Sequence, residues 1–392
     1  MVSIVRLLVD TSSFQGKFDT EPPNCYEDLI VMINEIFLEA PFFGDLGPPM
    51  YMIMARIMNT QGGFSAFTKE NLNMHFKNMF VAWTRFLASE DSRYVLTEDE
   101  GEDKHKQGWF TAKAKEAMVA QYQQDGRVRK FEEVFICDPA VEYYGYKSYE
   151  DFFNRRFSDP GTDRPTGDLN DNVVSSATES TSYAYQENVK EYDELFIKDE
   201  AYSLQHLLAG HNVDKFVGGT VLQGFLNTTG YHRWHAPVNG TIRQIVDIPG
   251  TYFAEAPSTI SGINMPETLQ FPPPPPPYLR SLRFFSNTTA RQLIFIQADD
   301  PQIDLMCVVS IGMTEISTCQ ATVSEGHHVF RGDELGMFHF GGSSSALVFR
   351  KDSGVKIDDA YRVPGVPLKI NRPLNINLQE SPLVPPGRTG HV

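Results

Sequence analysis

Residues 216–248 read FVGGTVLQGFLNTTGYHRWHAPVNGTIRQIVDI and contain two short apolar runs on either side of a polar, histidine-bearing segment. The runs at 216–226 and 241–246 are rich in Val, Ile, Thr and Phe and are bounded by Gly and Asn, which is typical of β-strands. Similar runs follow at 292–297, 303–311, 316–323 and 346–349. Because no long helical segment connects them, the pattern predicts a mostly antiparallel, barrel-like or sandwich-like β domain.

The sequence before this region has helical spacing. Asn24, with Glu27 three residues later, resembles a capping box that starts a first helix. Thr68 is the predicted start of a second helix. Its apolar stripe, which we interpret as core packing, comprises Leu72, Phe76, Met79, Phe80, Trp83, Phe86 and Leu87. The sequence therefore predicts an α+β protein with a helical domain over residues 1–145 and a β-rich domain over residues 146–392.

Composition and charge restrict the partners of the chain. Of its 392 residues, 41% are hydrophobic, and the 28 Phe and 16 Tyr provide material for a core and an aromatic-lined pocket. Lys plus Arg number 34 and Asp plus Glu number 50, which gives a net charge of −16. Such a surface repels nucleic-acid phosphates and anionic lipids. We therefore expect no nucleic-acid partner.

The sequence predicts a cytoplasmic protein without a membrane anchor. No window of about 18 apolar residues is present, and the apolar stretch at 4–9 is short and interrupted by Arg6. The six-proline run at 272–277 predicts a stiff loop that cannot enter a sheet. The cysteines lack metal-type spacing, and we interpret them as free core thiols: Cys25, Cys137, Cys307 and Cys319.

Three segments carry residues with catalytic chemistry. His232 and His235 lie in YHRWHAP at 231–237, Ser343 follows two glycines, and Glu179 lies in a small polar stretch. Each segment alone also has an ordinary structural interpretation. Together they supply a carboxylate, a base and a hydroxyl, which are the components of an activated-nucleophile triad. Metal ligation by the two histidines is disfavoured because no third ligand is in view.

These segments carry a family resemblance. SYEDFFNRRF at 148–157, YHRWHAPVNG at 231–240 and GDELGMFHFGGS at 332–343 resemble, in order, three motifs of the phosphatidylserine decarboxylases. Residues 26–80 are not expected in ordinary members and resemble the fungal phosphatidylserine-decarboxylase-like L-tryptophan decarboxylases of the psilocybin-pathway type. One departure is that Glu179 stands where the family motif has Asp.

The resemblance implies a self-made cofactor. Ser343 would attack the carbonyl of Gly342 with His235 as base and Glu179 orienting that base, and the chain would separate into a β chain, 1–342, and an α chain, 343–392. A pyruvoyl group would remain at residue 343 and serve the role that pyridoxal phosphate has elsewhere, so no pyridoxal phosphate is expected. His232 is the candidate for proton transfer during decarboxylation, because an imidazole titrates near working pH.

Ser344 and Ser345 remain possible competitors for the role of nucleophile.

The implied reaction is decarboxylation of a free aromatic L-amino acid, with L-tryptophan giving tryptamine and CO₂. Two alternatives stay open: a phosphatidylserine decarboxylase that makes phosphatidylethanolamine, and a binding scaffold that does not process itself. The sequence leaves the exact amino acid and the oligomeric state undetermined. A set of acidic residues could offer oxygen ligands to Ca²⁺, although solvated acids are the default interpretation: Asp299, Asp300, Asp304, Asp352, Asp358 and Asp359.

Overall fold

The computed structural model describes residues 25–44, 49–58, 60–101, 106–122, 129–167, 170–193, 202–255, 281–316, 318–340 and 343–375. The proline run at 272–277, Asn24 and Gly342 lie outside these ranges.

Helices form most of the regular structure before residue 164. They are α1 (Tyr26–Leu38), α2 (Pro49–Met58), α3 (Gln61–Phe67), α4 (Glu70–Leu87), α5 (Ala112–Val119), α6 (Phe131–Val134), α7 (Tyr149–Phe153) and α8 (Pro160–Asp163), with 3₁₀ turns at Glu90–Val95, Ala120–Tyr122 and Glu142–Gly145. Later helices are α9 (Leu204–Leu207), α10 (Val213–Phe216) and α11 (Leu282–Thr288), with 3₁₀ turns at Thr314–Ile316 and Asp359–Arg362.

Two predicted helix starts are shifted. The cap of α1 is Cys25 and not Asn24. The Sγ of Cys25 accepts a hydrogen bond from the backbone N–H of Asp28. Thr68 caps the C-terminus of α3, and α4 begins at Glu70. The apolar stripe of α4 is nevertheless core, as predicted, because its central members are buried.

The strands form two antiparallel sheets, as the spacing of the apolar runs predicted. They are β1 (Ser180–Glu187), β2 (Thr220–Leu226), β3 (Arg233–His235), β4 (Gly240–Ile248), β5 (Arg291–Ala298), β6 (Leu305–Ile311), β7 (Thr318–Ala321), β8 (His328–Val329), β9 (Glu334–His339), β10 (Ser343–Phe349) and β11 (Pro367–Leu368). The larger sheet has the order β11-β1-β2-β10-β6-β5-β4-β8, and the smaller has the order β3-β9-β7. The α+β class is therefore confirmed.

The central strands of the large sheet, β10, β6 and β5, are buried on both faces, and their side chains alternate between two apolar clusters, as strand geometry requires. In β10, Leu347 and Phe349 face the cluster that contains Trp234 and Phe338 of the small sheet. Ala346 and Val348 face the opposite cluster, which is covered by α9 and α10.

A third, aromatic-rich cluster joins the N-terminal helices to the β region. The Phe76 ring on α4 lies 5.0 Å from that of Phe253, and the Phe80 ring lies 5.2 Å from that of Tyr252. The predicted boundary at residues 145 and 146 thus falls inside one continuous apolar core. Within the part of the chain that the structure describes, we find no helix with the length and apolarity needed to cross a membrane.

Candidate active site

Hydrogen bonds from arginine tie the three sequence motifs into one unit. Arg155, from the first motif, donates to the carbonyls of Thr229 (2.6 Å) and Gly230 (2.9 Å), directly before the histidine segment. Arg233, from the second motif, donates to the Asn154 carbonyl at 2.8 Å and to Glu334, in the third motif, at 2.7 Å. Segments far apart in sequence therefore meet at one place.

Ser343 begins β10 at the point where the chain leaves the small sheet and enters the large one. It pairs with Leu226 of β2, and β10 lies in the middle of the sheet between β2 and β6. Phe340, which ends the preceding segment, has a φ of 26°, an unfavourable value for a residue with a Cβ. Its ring is held by Trp83 at 5.1 Å and Tyr149 at 5.5 Å.

The hydroxyls of Ser343 and Ser344 differ in their surroundings. Ser343 is fully buried, and its Oγ has no hydrogen-bond partner among the described residues. Ser344 is equally buried, but its Oγ donates to the Gly224 carbonyl at 2.9 Å and accepts from the Gln223 amide at 2.7 Å. An unpaired buried hydroxyl is costly, and of these two serines Ser343 is the one whose hydroxyl is left without a hydrogen bond to the described residues.

His235 is held in one tautomer. Its Nδ1 lies 2.7 Å from the Gly332 carbonyl, which can only accept, so Nδ1 carries the proton. Nε2 is then the basic nitrogen, and the Tyr231 hydroxyl donates to it at 2.9 Å. Burial lowers the pKa of His235, while the Gly332 carbonyl and then the charges of Glu334 and Glu179 oppose that shift. The ring is thus a neutral base near pH 7.

Gly332 has a positive φ of 95°, which favours glycine, and a Cβ there would lie 2.7 Å from Thr166 and 2.8 Å from Asn371. Its carbonyl occupies the place that the sequence assigned to the carboxylate of Glu179.

Glu179 has other partners. Its carboxylate receives two hydrogen bonds from Arg164, at 2.5 and 3.0 Å, and one from the backbone N–H of Ile370 at 3.0 Å. Both charged side chains are buried, at 3% and 2% exposure. The structure brings Glu179 close enough to act on His235 through its charge, but not as the hydrogen-bonding partner that the triad interpretation requires.

His232 and His235 have different surroundings. His232 directly precedes β3, which ends at His235, and the pairing of β3 with β9 is irregular between Trp234 and His235. The His232 ring stacks on Phe153 at 4.1 Å, and neither ring nitrogen has a hydrogen-bond partner among the residues described. Burial, assisted by the charge of Arg155, lowers the pKa of His232 to about 3. In the uncleaved chain the His232 imidazole is therefore neutral near working pH, and its role in proton transfer stays a prediction.

Four of the six calcium candidates have the following partners within the chain. Asp304 pairs with Arg350, Asp299 with His328 at 2.9 Å, and Asp359 with Arg362 at 3.2 Å. Asp358 accepts from the backbone of Ala360. Across the described ranges, no group of three or more His, Cys, Asp or Glu side chains could hold a metal ion. The structure gives calcium no support.

The cysteines are free, as predicted, but only Cys307 is fully buried.

Comparison with known proteins identifies the family of the chain. One phosphatidylserine decarboxylase family model matches residues 149–365, which is more than half of the chain, and a second matches residues 9–118. The chain belongs to the phosphatidylserine decarboxylase family. Residues 26–80, which were not expected from the sequence in ordinary phosphatidylserine decarboxylases, lie within the match of this second, separate model.

Several relatives of this family member are similar over most of its length. An L-tryptophan decarboxylase of Psilocybe cyanescens is 58% identical over 343 residues, 86% of this chain and 76% of the relative. An L-tryptophan decarboxylase of Psilocybe cubensis is 54% identical over 361 residues, 91% of this chain and 80% of the relative. Decarboxylase iboD of Amanita muscaria is 37% identical over 310 residues, 77% and 84% of the two chains. Matches to phosphatidylserine decarboxylase proenzymes span about half of the chain.

Sequence reasoning gave no role to Tyr231, Gly332 or Gln223. A positive φ at Gly332 could not be read from the sequence, but Gln223 was visible as a polar residue inside an apolar strand.

Proposed function

We propose that the chain is a self-processing, pyruvoyl-dependent decarboxylase of free aromatic L-amino acids, which converts L-tryptophan to tryptamine and CO₂. The proposal is carried by the buried Ser343 hydroxyl, which has no hydrogen-bond partner among the described residues. Ser343 starts a central strand and directly follows Gly341 and Gly342 in the sequence. A hydroxyl in that state is stabilised only when it reacts or acquires a partner.

Processing uses groups of the chain itself. Ser343 Oγ forms an ester with the carbonyl carbon of Gly342 while the Gly342–Ser343 peptide C–N bond breaks, and the hydroxyl proton passes through a base to the new amine. His235 Nε2 is the candidate base, after the Tyr231 hydroxyl that covers it is displaced or relays the proton. Loss of the Cα proton and cleavage of the Cβ–Oγ bond then release Gly342 as a carboxylate. Addition of water and loss of ammonia leave the pyruvoyl group.

The surroundings of Ser343 fit this group. Residue 343 is fully buried, in a sheet whose neighbouring side chains are apolar. When present, a pyruvoyl ketone takes up the substrate amine and accepts electrons from Cα as CO₂ leaves. His232 stays the candidate for the proton transfer that completes decarboxylation.

The substrate assignment rests on the relatives and on charge. The two Psilocybe proteins, which are similar over 86% and 91% of this chain, are L-tryptophan decarboxylases. A net charge of −16 disfavours an anionic lipid surface. We expect phenylalanine to react more slowly than tryptophan without being excluded, since a hydrophobic pocket rejects a smaller ring only weakly.

Two measurements test the proposal. The intact mass of the purified protein under denaturing conditions should show two chains divided between residues 342 and 343. Amine formation is then measured with free tryptophan, phenylalanine, tyrosine and phosphatidylserine vesicles. A single full-length chain without amine formation would support the binding scaffold, and turnover of the vesicles but not of tryptophan would support the lipid enzyme.

A further inference from the structure

A buried polar cluster supports the second residue of β10. Gln223, Ser344, Ser286 and Tyr202 are each fully buried, and we call them the Gln223 cluster. The side-chain amide nitrogen of Gln223 donates to Ser344 Oγ at 2.7 Å and to Ser286 Oγ at 2.9 Å. The amide oxygen of Gln223 accepts from the Tyr202 hydroxyl.

The orientation of the Gln223 amide is fixed by its neighbours. The Ser344 hydroxyl donates to the Gly224 carbonyl at 2.9 Å, and the Ser286 hydroxyl donates to the Leu282 carbonyl at 2.8 Å. Each hydroxyl has one proton, so both oxygens must accept from Gln223. A flipped amide would place an oxygen against two acceptors, and Gln223 therefore presents its NH₂ group to Ser344.

This arrangement separates two adjacent serines that are chemically alike. Side chains alternate along a strand, so Ser343 faces the cluster of Leu347 and Phe349 while Ser344 faces that of Ala346 and Val348. The Ser344 hydroxyl donates its proton to the Gly224 carbonyl and accepts a hydrogen bond from Gln223. The Ser343 hydroxyl has no partner among the residues described.

We propose that Gln223 is a positioning residue that confines self-cleavage to Ser343 by holding the Ser344 hydroxyl in the Gln223 cluster. The inference rests on the proposed function. Attack by Ser344 Oγ on the carbonyl carbon of Ser343 would form and break the same kinds of bond as attack by Ser343. An ester forms while the Ser343–Ser344 peptide C–N bond breaks. Elimination then cleaves the Cβ–Oγ bond, and addition of water with loss of ammonia leaves the pyruvoyl group. The small chain would then begin at residue 344 and lack one serine.

The test is the mass of the small chain. The wild-type protein should give one small chain, with a pyruvoyl group at residue 343. In Gln223→Leu, Ser344 loses one hydrogen bond, which favours its released state by roughly fivefold. We expect a second small chain that begins at residue 344. In the double variant Gln223→Leu/Ser344→Ala that second chain should disappear, while cleavage before Ser343 continues.

Two more conservative variants of the Gln223 cluster accompany this test. Ser286→Ala removes the other acceptor of the Gln223 amide and should leave cleavage only at Ser343. Tyr202→Phe removes the hydroxyl that holds the amide oxygen at nearly constant volume, and it should release a smaller amount of the 344 product. If Gln223→Leu does not fold, Tyr202→Phe decides.

Cleavage of folded Gln223→Leu solely at Ser343, or complete loss of cleavage in that folded variant, would overturn the role of Gln223. A mixture of both small chains from the wild-type protein would also overturn it. Absence of any cleavage in the wild-type protein would instead refute the proposed function.

Discussion

At the scale of single residues, the free hydroxyl of Ser343 gives a sharp expectation. Ser343→Ala should yield one uncleaved chain without activity, because the nucleophile itself is missing. The matched control is Ser344→Ala, which removes a hydroxyl that is already hydrogen-bonded and should still cleave. A denaturing gel distinguishes them, and normal cleavage of Ser343→Ala would move the nucleophile to another serine.

The two histidines should have separable effects. His235→Ala should strongly slow processing, whereas His232→Ala should cleave but decarboxylate poorly.

Because burial holds the pKa of His235 below its ordinary value of about 6.5, the base stays neutral to lower pH than a solvated histidine. The processing rate should therefore be flat from pH 8 to about 6.5 and fall only as pH drops through the lowered pKa.

This profile can be measured by mass on precursor made by in vitro translation. Equal cleavage rates in both histidine variants, or a rate that already falls between pH 8 and 7, would contradict the assignment of His235 as the base.

The contacts of Glu179 give a different expectation from a triad role. Removing the charge in Glu179→Gln leaves Arg164 buried without a counter-charge and should lower the free energy of unfolding by about 3–5 kcal/mol. In the double variant Arg164→Met/Glu179→Leu, the pair is replaced by apolar side chains and much of the stability should return. Denaturant unfolding measures the stability of each variant in a Ser343→Ala background.

The role of Glu179 is decided by measuring self-cleavage of the same variants with Ser343 present. Continued cleavage in the stable double variant would identify Glu179 as structural, and loss of cleavage with restored stability would identify it as part of the processing machinery.

Features of these residues that depend on residue type and short spacing could be predicted from the sequence. Features that depend on the folded surroundings could not. Ser343, His235 and His232 were recognisable because their chemistry depends on residue type and short spacing. The choice between the Gly332 carbonyl and the Glu179 carboxylate was hidden, because a backbone acceptor has no signature in side-chain identity. The loss of His232 titration was hidden too, since it depends on burial against Phe153.

At the scale of elements, the position of β10 determines what cleavage does to the molecule. Seven residue pairs join β10 to β2 and six join it to β6, and the cut precedes the first of them. The chain 343–392 should therefore stay bound after processing. Size-exclusion chromatography should elute both chains together in buffer and separately in guanidinium chloride. Separation in buffer would contradict the central position of β10.

From the sequence we predicted strands where apolar residues run together, and we missed strands whose sequences are rich in polar residues. The runs at 292–297 and 303–311 correspond to β5 and β6. In contrast, β1, with the sequence STSYAYQE, and β3, with the sequence RWH, carry polar residues that conceal a strand pattern, and in β3 these include the candidate base His235. The same polar content helped to locate the site, so the signal for function reduced the signal for structure.

At the scale of the whole molecule, the shared aromatic core bears on how the chain unfolds. Trp83 on α4 packs against Phe340, three residues before Ser343, and the backbone N–H of Tyr252 donates to Asn73 Oδ1 at 3.0 Å. Separate cores would allow the helices to unfold first. A continuous core predicts one cooperative transition, because neither part keeps its apolar surface covered without the other.

The three tryptophans allow this to be tested in the uncleaved Ser343→Ala protein. Trp83 and Trp109 lie in the helical part and Trp234 lies in the small sheet. A Trp83→Phe/Trp109→Phe variant reports fluorescence from Trp234 alone, and Trp234→Phe reports from the helical part. Each should give the same denaturant midpoint as its own far-UV circular dichroism. In the wild-type background, Trp83→Ala should lower the free energy of unfolding by about 3–5 kcal/mol. It should also slow cleavage, since Phe340 loses one of the rings that hold it. Distinct midpoints for the two probes would instead support independent domains divided near residue 145.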